Sequence, residues 1–303
     1  MRFGTAVKLI LSAAAGLALA AGAFAASRSA GSKGTAEFLG SYTWRGRQDW
    51  FGGFSALAIA KDGQSMTVLS DRATIASVAL QREDGLITAA GIETPHALRD
   101  SSGKRLRGRA GDSEGIAVAP DGTICISFEG VPRIACHRHA GSRARVLPRL
   151  AAFKTLSANK ALEALAIDAS GHLYTLPEGA VTRQGEFPVW RWDGQRWSQP
   201  FALPKRGDFL PVSADFGPGG QFYVLERDFS FFGFRTRLRR WAVTSAGLSG
   251  EETLLKTAAG THDNLEGLSV WQDASGRLRA TMVSDDNFNA LQVTELVEYA
   301  LPE

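Results

Sequence analysis

Acidic side chains recur in this sequence at two positions of a repeated motif, and that recurrence is its strongest chemical signal. Three short apolar segments open on an acid followed by a small residue: Glu114-Gly115, Glu163-Ala164 and Glu266-Gly267. Each continues through a Gly-containing turn into a second apolar segment that ends on further acids, at Glu129, at Glu178 and at the pair Asp285-Asp286. Asp71 and Glu226 end the matching segments elsewhere. Carboxylates brought together raise one another's pKa unless a cation joins them. A set of hard oxygen ligands without Cys or clustered His suits Ca²⁺ or Mg²⁺ rather than zinc. Glu114, Glu163, Glu266, Asp285 and Asp286 are therefore the leading candidate metal ligands, with Ca²⁺ the expected cofactor. Asp71, Glu178 and Glu226 stand behind them, and Asn159, Asn264 and Asn287 could add neutral carbonyl oxygens.

Cations accompany these acids. Arg72 follows Asp71, Arg227 follows Glu226, and Lys160 precedes Glu163. A face with metal-binding acids and guanidinium forks suits a small anionic ligand carrying phosphate. His262, just before Asp263-Asn264, is a candidate acid/base group, and Arg72 and Arg227 are the other candidates for a direct part in chemistry. Lys104 to Arg109 forms a basic loop that could reach over the same face toward an anion. The same acids would equally cap strands, pair with neighbouring arginines or hold a purely structural calcium, and these readings stay open. Neither a phosphate loop nor a dinucleotide fingerprint occurs.

The elements that must position these residues come from an internal repeat. Units beginning near Ser55, Glu114, Glu163, Val212 and Glu266 share a short apolar strand, a tight turn and a second strand. Asp-Gly, Gly-Gly and Ser-Gly at the turns supply the backbone that tight hairpins demand. Further strand pairs follow, as at Trp190–Trp192 with Arg196-Trp197, and at Leu238–Val243 with Glu252–Lys256. Four strands per unit of ~50 residues is the pattern of a β-propeller. The expected fold is all-β, with about five four-stranded blades, or six if a divergent blade lies within the long insertions. The last unit has room for three strands, so the segment around Phe38–Tyr42 is expected to supply the fourth and close the ring. In a blade the start of strand one and the end of strand two lie at one face, which directs the acids there. The fourth unit departs from the pattern, with Val212-Ser213-Ala214 where others have Glu-Gly or Glu-Ala. Phe229–Phe234 is expected to pack over a blade edge.

The chain has 303 residues with a net charge of +3. Arg2 and Lys8, the apolar run Leu9–Ala21 and Ala23-Phe24-Ala25 have the layout of a secretory signal peptide over residues 1–25. That run is shorter than the ~20 apolar residues of a membrane span, so residues 26–303 are expected to be one domain, periplasmic or secreted, with no span after cleavage. No Lys/Arg stripe interleaved with aromatics marks a nucleic-acid surface. Cys125 and Cys136 flank a turn centred on Gly130-Val131, which places them opposite each other on paired strands and predicts a disulfide in an oxidising compartment.

Asp112-Ser113-Glu114-Gly115-Ile116-Ala117, Ala161-Leu162-Glu163-Ala164-Leu165-Ala166, His262–Leu268 and Val283–Asn289 resemble the exported bacterial family described as "esterase-like activity of phytase". The likeness spans roughly Gly34 to Leu301. It implies a calcium-associated propeller and phosphoric ester hydrolysis. Two other functions fit the same residues: a non-catalytic binding or scaffold propeller with structural calcium, and a lactonase-like hydrolase. Fold alone does not choose among them.

Overall fold

The computed structural model describes residues 35–303 apart from Ala158, and Thr35–Glu303 forms one compact unit. The signal peptide read over residues 1–25 lies outside the described residues. No helix among the described residues is long and apolar enough to cross a membrane.

The chain enters through β1 (Glu37–Thr43) and then builds four complete blades in order. Blade one is β2 (Phe54–Ile59), β3 (Ser65–Ser70), β4 (Thr74–Glu83) and β5 (Leu86–Ala97). Blade two is β6 (Ser113–Val118), β7 (Ile124–Phe128), β8 (Arg133–His137) and β9 (Ala144–Val146). Blade three is β10 (Leu162–Ile167), β11 (Leu173–Pro177), β12 (Glu186–Trp192) and β13 (Trp197–Pro204). Blade four is β14 (Leu210–Phe216), β15 (Phe222–Ser230), β16 (Gly233–Thr244) and β17 (Gly247–Lys256). Blade five takes β18 (Leu265–Gln272), β19 (Leu278–Ser284) and β20 (Glu295–Ala300), and β1 completes it by pairing antiparallel with β20 from Glu37↔Ala300 to Thr43↔Glu295. The fold is thus a five-bladed β-propeller closed by β1; among the described residues the long insertions hide no sixth blade.

Each blade is an antiparallel meander whose inner hairpin turns on a glycine at positive φ, as at Gly63 (φ 69°) and Gly276 (φ 86°). The apolar core is divided into five wedges, one between each pair of neighbouring blades. Ile116, Ile126 and Phe128 of blade two pack on Leu69 and Ile75 of blade one, for example, and Phe222 and Trp241 of blade four pack on Phe187 and Leu203 of blade three. β7 and β8 pair with Cys125 opposite Cys136, and the two close a buried disulfide with their Cα atoms 4.0 Å apart.

Along the axis the inner strands approach so closely that a side chain is excluded at two places. A Cβ on Gly115 would lie 2.6 Å from the Glu163 carbonyl oxygen, and one on Gly267 would lie 3.0 Å from the Ala56 backbone. The glycine after Glu114 and the glycine after Glu266 are therefore contact requirements between blades. Ser127 reinforces one such contact: its hydroxyl accepts the Gly115 N–H and donates to the Glu163 carbonyl oxygen.

Candidate metal and anion site

Every inner strand carries a β-bulge just inside its mouth-side end. The register slips between Phe54 and Ala56, Ser113 and Ile116, Leu162 and Ala164, Pro211 and Ser213, and Leu265 and Gly267. The bulged positions are Ser55, Glu114, Glu163, Val212 and Glu266. A bulge inserts an unpaired residue and re-aims its side chain, so the repeat delivers three glutamates toward the axis. The second strands end on a matching set of positions, each one residue past the partner of the residue that precedes the bulge. Those positions are Asp71, Glu129, Glu178, Arg227 and Asp285.

Blade four departs at both positions. Pro211 pairs with Glu226 and Leu210 with Arg227, so Arg227 takes the place held by an acid in the other blades. Its guanidinium binds Glu178 of blade three at 3.1 Å, Glu266 of blade five, and the Asn264 side-chain oxygen at 2.6 Å. Glu226 points the other way. It is fully buried and accepts hydrogen bonds from Arg237 and from Arg239, the latter at 2.8 Å through Nε. The structure therefore does not bring Glu226 to the ring. A one-residue slip in strand register exchanges the two faces, and the apolar pattern of the fourth unit alone did not reveal it.

The rest of the candidate ligands divide into three groups. Glu114 lies with Asp112 and Glu129 in a cluster whose ligand oxygens are all within 4.8 Å of one another. Glu163 sits beside Glu129, close enough to share a hydrogen bond. Asp71, Glu178, Glu266 and Asp285 continue the ring, and Asn264 is buried inside it, donating to Glu266 at 2.8 Å. Asp286 is committed elsewhere: its carboxylate accepts the N–H groups of Gly53 and Phe288 and the Thr294 hydroxyl. Asn287 is exposed and donates to Gln292, and Asn159 is exposed on the loop before β10.

His262 is also placed away from the ring. It is largely buried in the connection before β18, hydrogen-bonded to the Tyr299 hydroxyl at 2.7 Å and against the Phe38 ring, and burial pushes its pKa down to about 4. It is a packed, neutral imidazole. Asp112 joins the site without having stood among the candidate ligands. Its signal was an acid two residues before Glu114, outside the repeated position.

Burial dominates the electrostatics. It raises Glu114 and Glu163 well above the usual carboxylate range, with like charges adding to the effect, Glu266 foremost for Glu114 and Glu114 foremost for Glu163. Burial likewise pushes Asp285 up to about 8 and Asp71 up to about 6, with Arg72 opposing it at Asp71. Glu266 is raised by burial in spite of Arg227. Desolvation works against the Arg227 charge, but Glu266, Glu178 and Glu163 outweigh it and hold the group firmly protonated. The ring is thus short of cationic charge on the side of blades two and three.

A cavity of about 480 Å³ opens beside that deficit. Asp71, Arg72, Arg105, Leu106, Arg107, Gly108 and Asp112 line it. Arg72 is fixed by stacking on the Phe288 ring, 3.3 Å from its centroid, and its backbone bridges to Asp112. The basic loop before blade two therefore does reach the acidic mouth. A larger hollow of about 770 Å³ lies at the opposite face between blades one and five, where Glu298 holds both Arg82 and Arg279.

A family model described as "Phytase-like: Esterase-like activity of phytase" matches residues 49–288. No curated protein matches the chain. Among solved structures, the α-L-arabinofuranosidase PaAbf62A from Podospora anserina superposes with a TM-score of 0.54 at 11% identity, covering 88% of this chain and 96% of that one. The catalytic domain of a GH62 α-L-arabinofuranosidase from Coprinopsis cinerea gives a TM-score of 0.52 at 9% identity, covering 89% and 97%. At such identities the likeness is one of fold.

Proposed function

Because the chain belongs to the phytase-like family described by esterase-like activity of phytase, we propose that it is a calcium-dependent phosphoric ester hydrolase working at the acidic mouth of the propeller. The observation that carries this reading is an adjacency. Asp112 belongs both to the three-carboxylate cluster and to the wall of the arginine-lined cavity. The donors fit the ion: they are hard oxygens on three side chains, two of them opening onto further carboxylates, with no sulfur or imidazole among them.

Asp112, Glu114 and Glu129 would hold Ca²⁺, with Glu163 beside them. Bound there, Ca²⁺ supplies charge neutralisation and polarisation at a phosphate oxygen. Arg72, Arg105 and Arg107 take the remaining phosphoryl oxygens through paired N–H donors and orient the ester in the cavity. Asp71 shares that wall, and a carboxyl pushed up to about 6 can accept a proton from an attacking water near neutral pH. Export to the periplasm or medium belongs to the same reading, and the buried disulfide supports an oxidising compartment.

The test is phosphate release from p-nitrophenyl phosphate and phytate, with Ca²⁺ or with chelator. Turnover is expected only with Ca²⁺, and Glu114→Gln and Arg107→Met should each lower kcat/KM by about 100-fold, the scale of a lost charge-stabilising contact. A folded, calcium-stabilised protein that releases no phosphate overturns the reading. One observation favours a non-catalytic binding propeller as the alternative: Arg227 ties Glu178 to Glu266 across blade four, as a purely structural polar ring would. In that case Ca²⁺ raises the melting temperature by mass action and no ester is cleaved; lactones are the next class to assay.

A further inference from the structure

The connections that surround the acidic mouth carry a second, unrelated pattern. Strand order puts ten connections at this face, those that end second strands and those that pass from one blade to the next. Their exposed charges are almost all positive. Arg45 and Arg47 stand before blade one, Arg109 before blade two, Lys154 before blade three, Arg183 within blade three and Lys205 before blade four. Among the described residues of these connections, the exposed acids are Asp49 and Asp208. The opposite face is mixed, with Lys61, Arg138, Arg143, Arg196 and Arg277 set against Asp62, Asp84, Asp121 and Glu303. A chain with a net charge of only +3 therefore presents a basic rim at one end.

The same face carries the most exposed large apolar side chains of the described residues. Phe231 is 96% exposed, Phe232 80% and Phe229 69%, at the tip of the β15–β16 hairpin in blade four, and Leu291 is 92% exposed on the neighbouring connection in blade five. Val181 in blade three and Val293 in blade five are exposed too. The expectation that Phe229–Phe234 packs over a blade edge fails at Phe231 and Phe232, whose rings meet only each other among aromatic side chains. Strand pairing continues to Ser230↔Gly233, four residues beyond the ring position at Arg227 by the tip, so Phe231 stands roughly 13 Å beyond it along the strand at ~3.3 Å per residue. The prong is braced: the Gly260 N–H donates to the Phe234 carbonyl oxygen at 2.9 Å, and Arg235 pairs with Asp228 beneath it.

We infer that this face docks on an anionic lipid surface, with Phe231 and Phe232 inserted at the boundary between headgroups and acyl chains and the basic rim against the phosphates. Two observations meet in this assignment. Adjacent Phe rings on a convex prong need no complementary socket, and an interface that admits apolar groups ~5–10 Å deep accepts them. Cations spread over the connections of several blades match a planar negative potential, which acts within about a Debye length of the surface. A protein partner would instead require a shaped surface of ~800 Å² on this side.

The experiment is sedimentation of the chain from Ala26, which contains every strand of the propeller, with phosphatidylcholine vesicles with or without about 30% phosphatidylglycerol. Binding is expected only with the anionic lipid, to weaken between about 0.1 and 0.5 M NaCl, and to fall at least ~10-fold in Phe231→Ser/Phe232→Ser with an unchanged melting temperature. Equal binding to neutral vesicles, or equal binding by the double variant, overturns the inference. So does a wild-type dimer in sedimentation velocity that the double variant abolishes, because the prong would then serve self-association.

Discussion

Arg227 shows how a single side chain can decide the character of the ring. It stands where the other blades place a carboxylate, and it satisfies Glu178 and Glu266 from blades on either side. Removing one partner of a buried ion pair leaves the other charge uncompensated, at a cost of ~3–5 kcal/mol. Arg227→Met is therefore expected to destabilise the protein by about 3 kcal/mol in urea unfolding. A loss under about 0.5 kcal/mol would mean that the contacts are worth no more than a surface pair. Arg227 was legible in the sequence as a cation at the acidic face. Its partners were not, because they come from two other blades.

The element that sets the chemistry is the bulge. Alternation along a strand gives two faces, and an unpaired residue at the mouth adds a third direction, toward the axis. The repeat showed which residues open each strand, and the register explains why Glu114, Glu163 and Glu266 turn inward there. The β7–β8 hairpin is the best-determined element from sequence, since its turn fixes the register and so the disulfide. Cys125→Ser/Cys136→Ser should lower stability by ~2–4 kcal/mol, read from urea unfolding, without changing calcium binding. A calcium affinity that drops with the disulfide would show that blade two holds the Asp112–Glu114–Glu129 cluster only under that constraint.

For the whole molecule, the buried acids link stability to pH and to cations. Asp71 and Asp285 have folded pKa values of about 6 and about 8, raised from an ordinary 3.8 chiefly by burial. The folded protein thus holds these protons more tightly than the unfolded chain. Their contribution to stability is complete below about pH 4 and is lost as pH rises through 6 and then 8. In chelator the melting temperature should fall between pH 5 and pH 8.5, by several degrees at ~2–4 °C per kcal/mol. At the proposed calcium site the ion would compete with protons for the same oxygens, so the increment it gives should grow over that range. A melting temperature that rises with pH in chelator would contradict the burial of these carboxyls.

Sequence alone determined the local repeat: five recurring strand units, a last unit one strand short, the cysteine pair, and acids at matching positions of the units. Each follows from spacing within a few dozen residues, where turn chemistry and apolar alternation act. Tertiary structure decided the rest. It moved Glu226 out of the ring and put Arg227 in, joined Asp112 to Glu114 and Glu129, brought the basic loop to the mouth, and left Phe231 and Phe232 in solvent. Those outcomes depend on strand register and on ring closure, which bring together side chains from different blades, and a side chain's direction reverses with one residue of register.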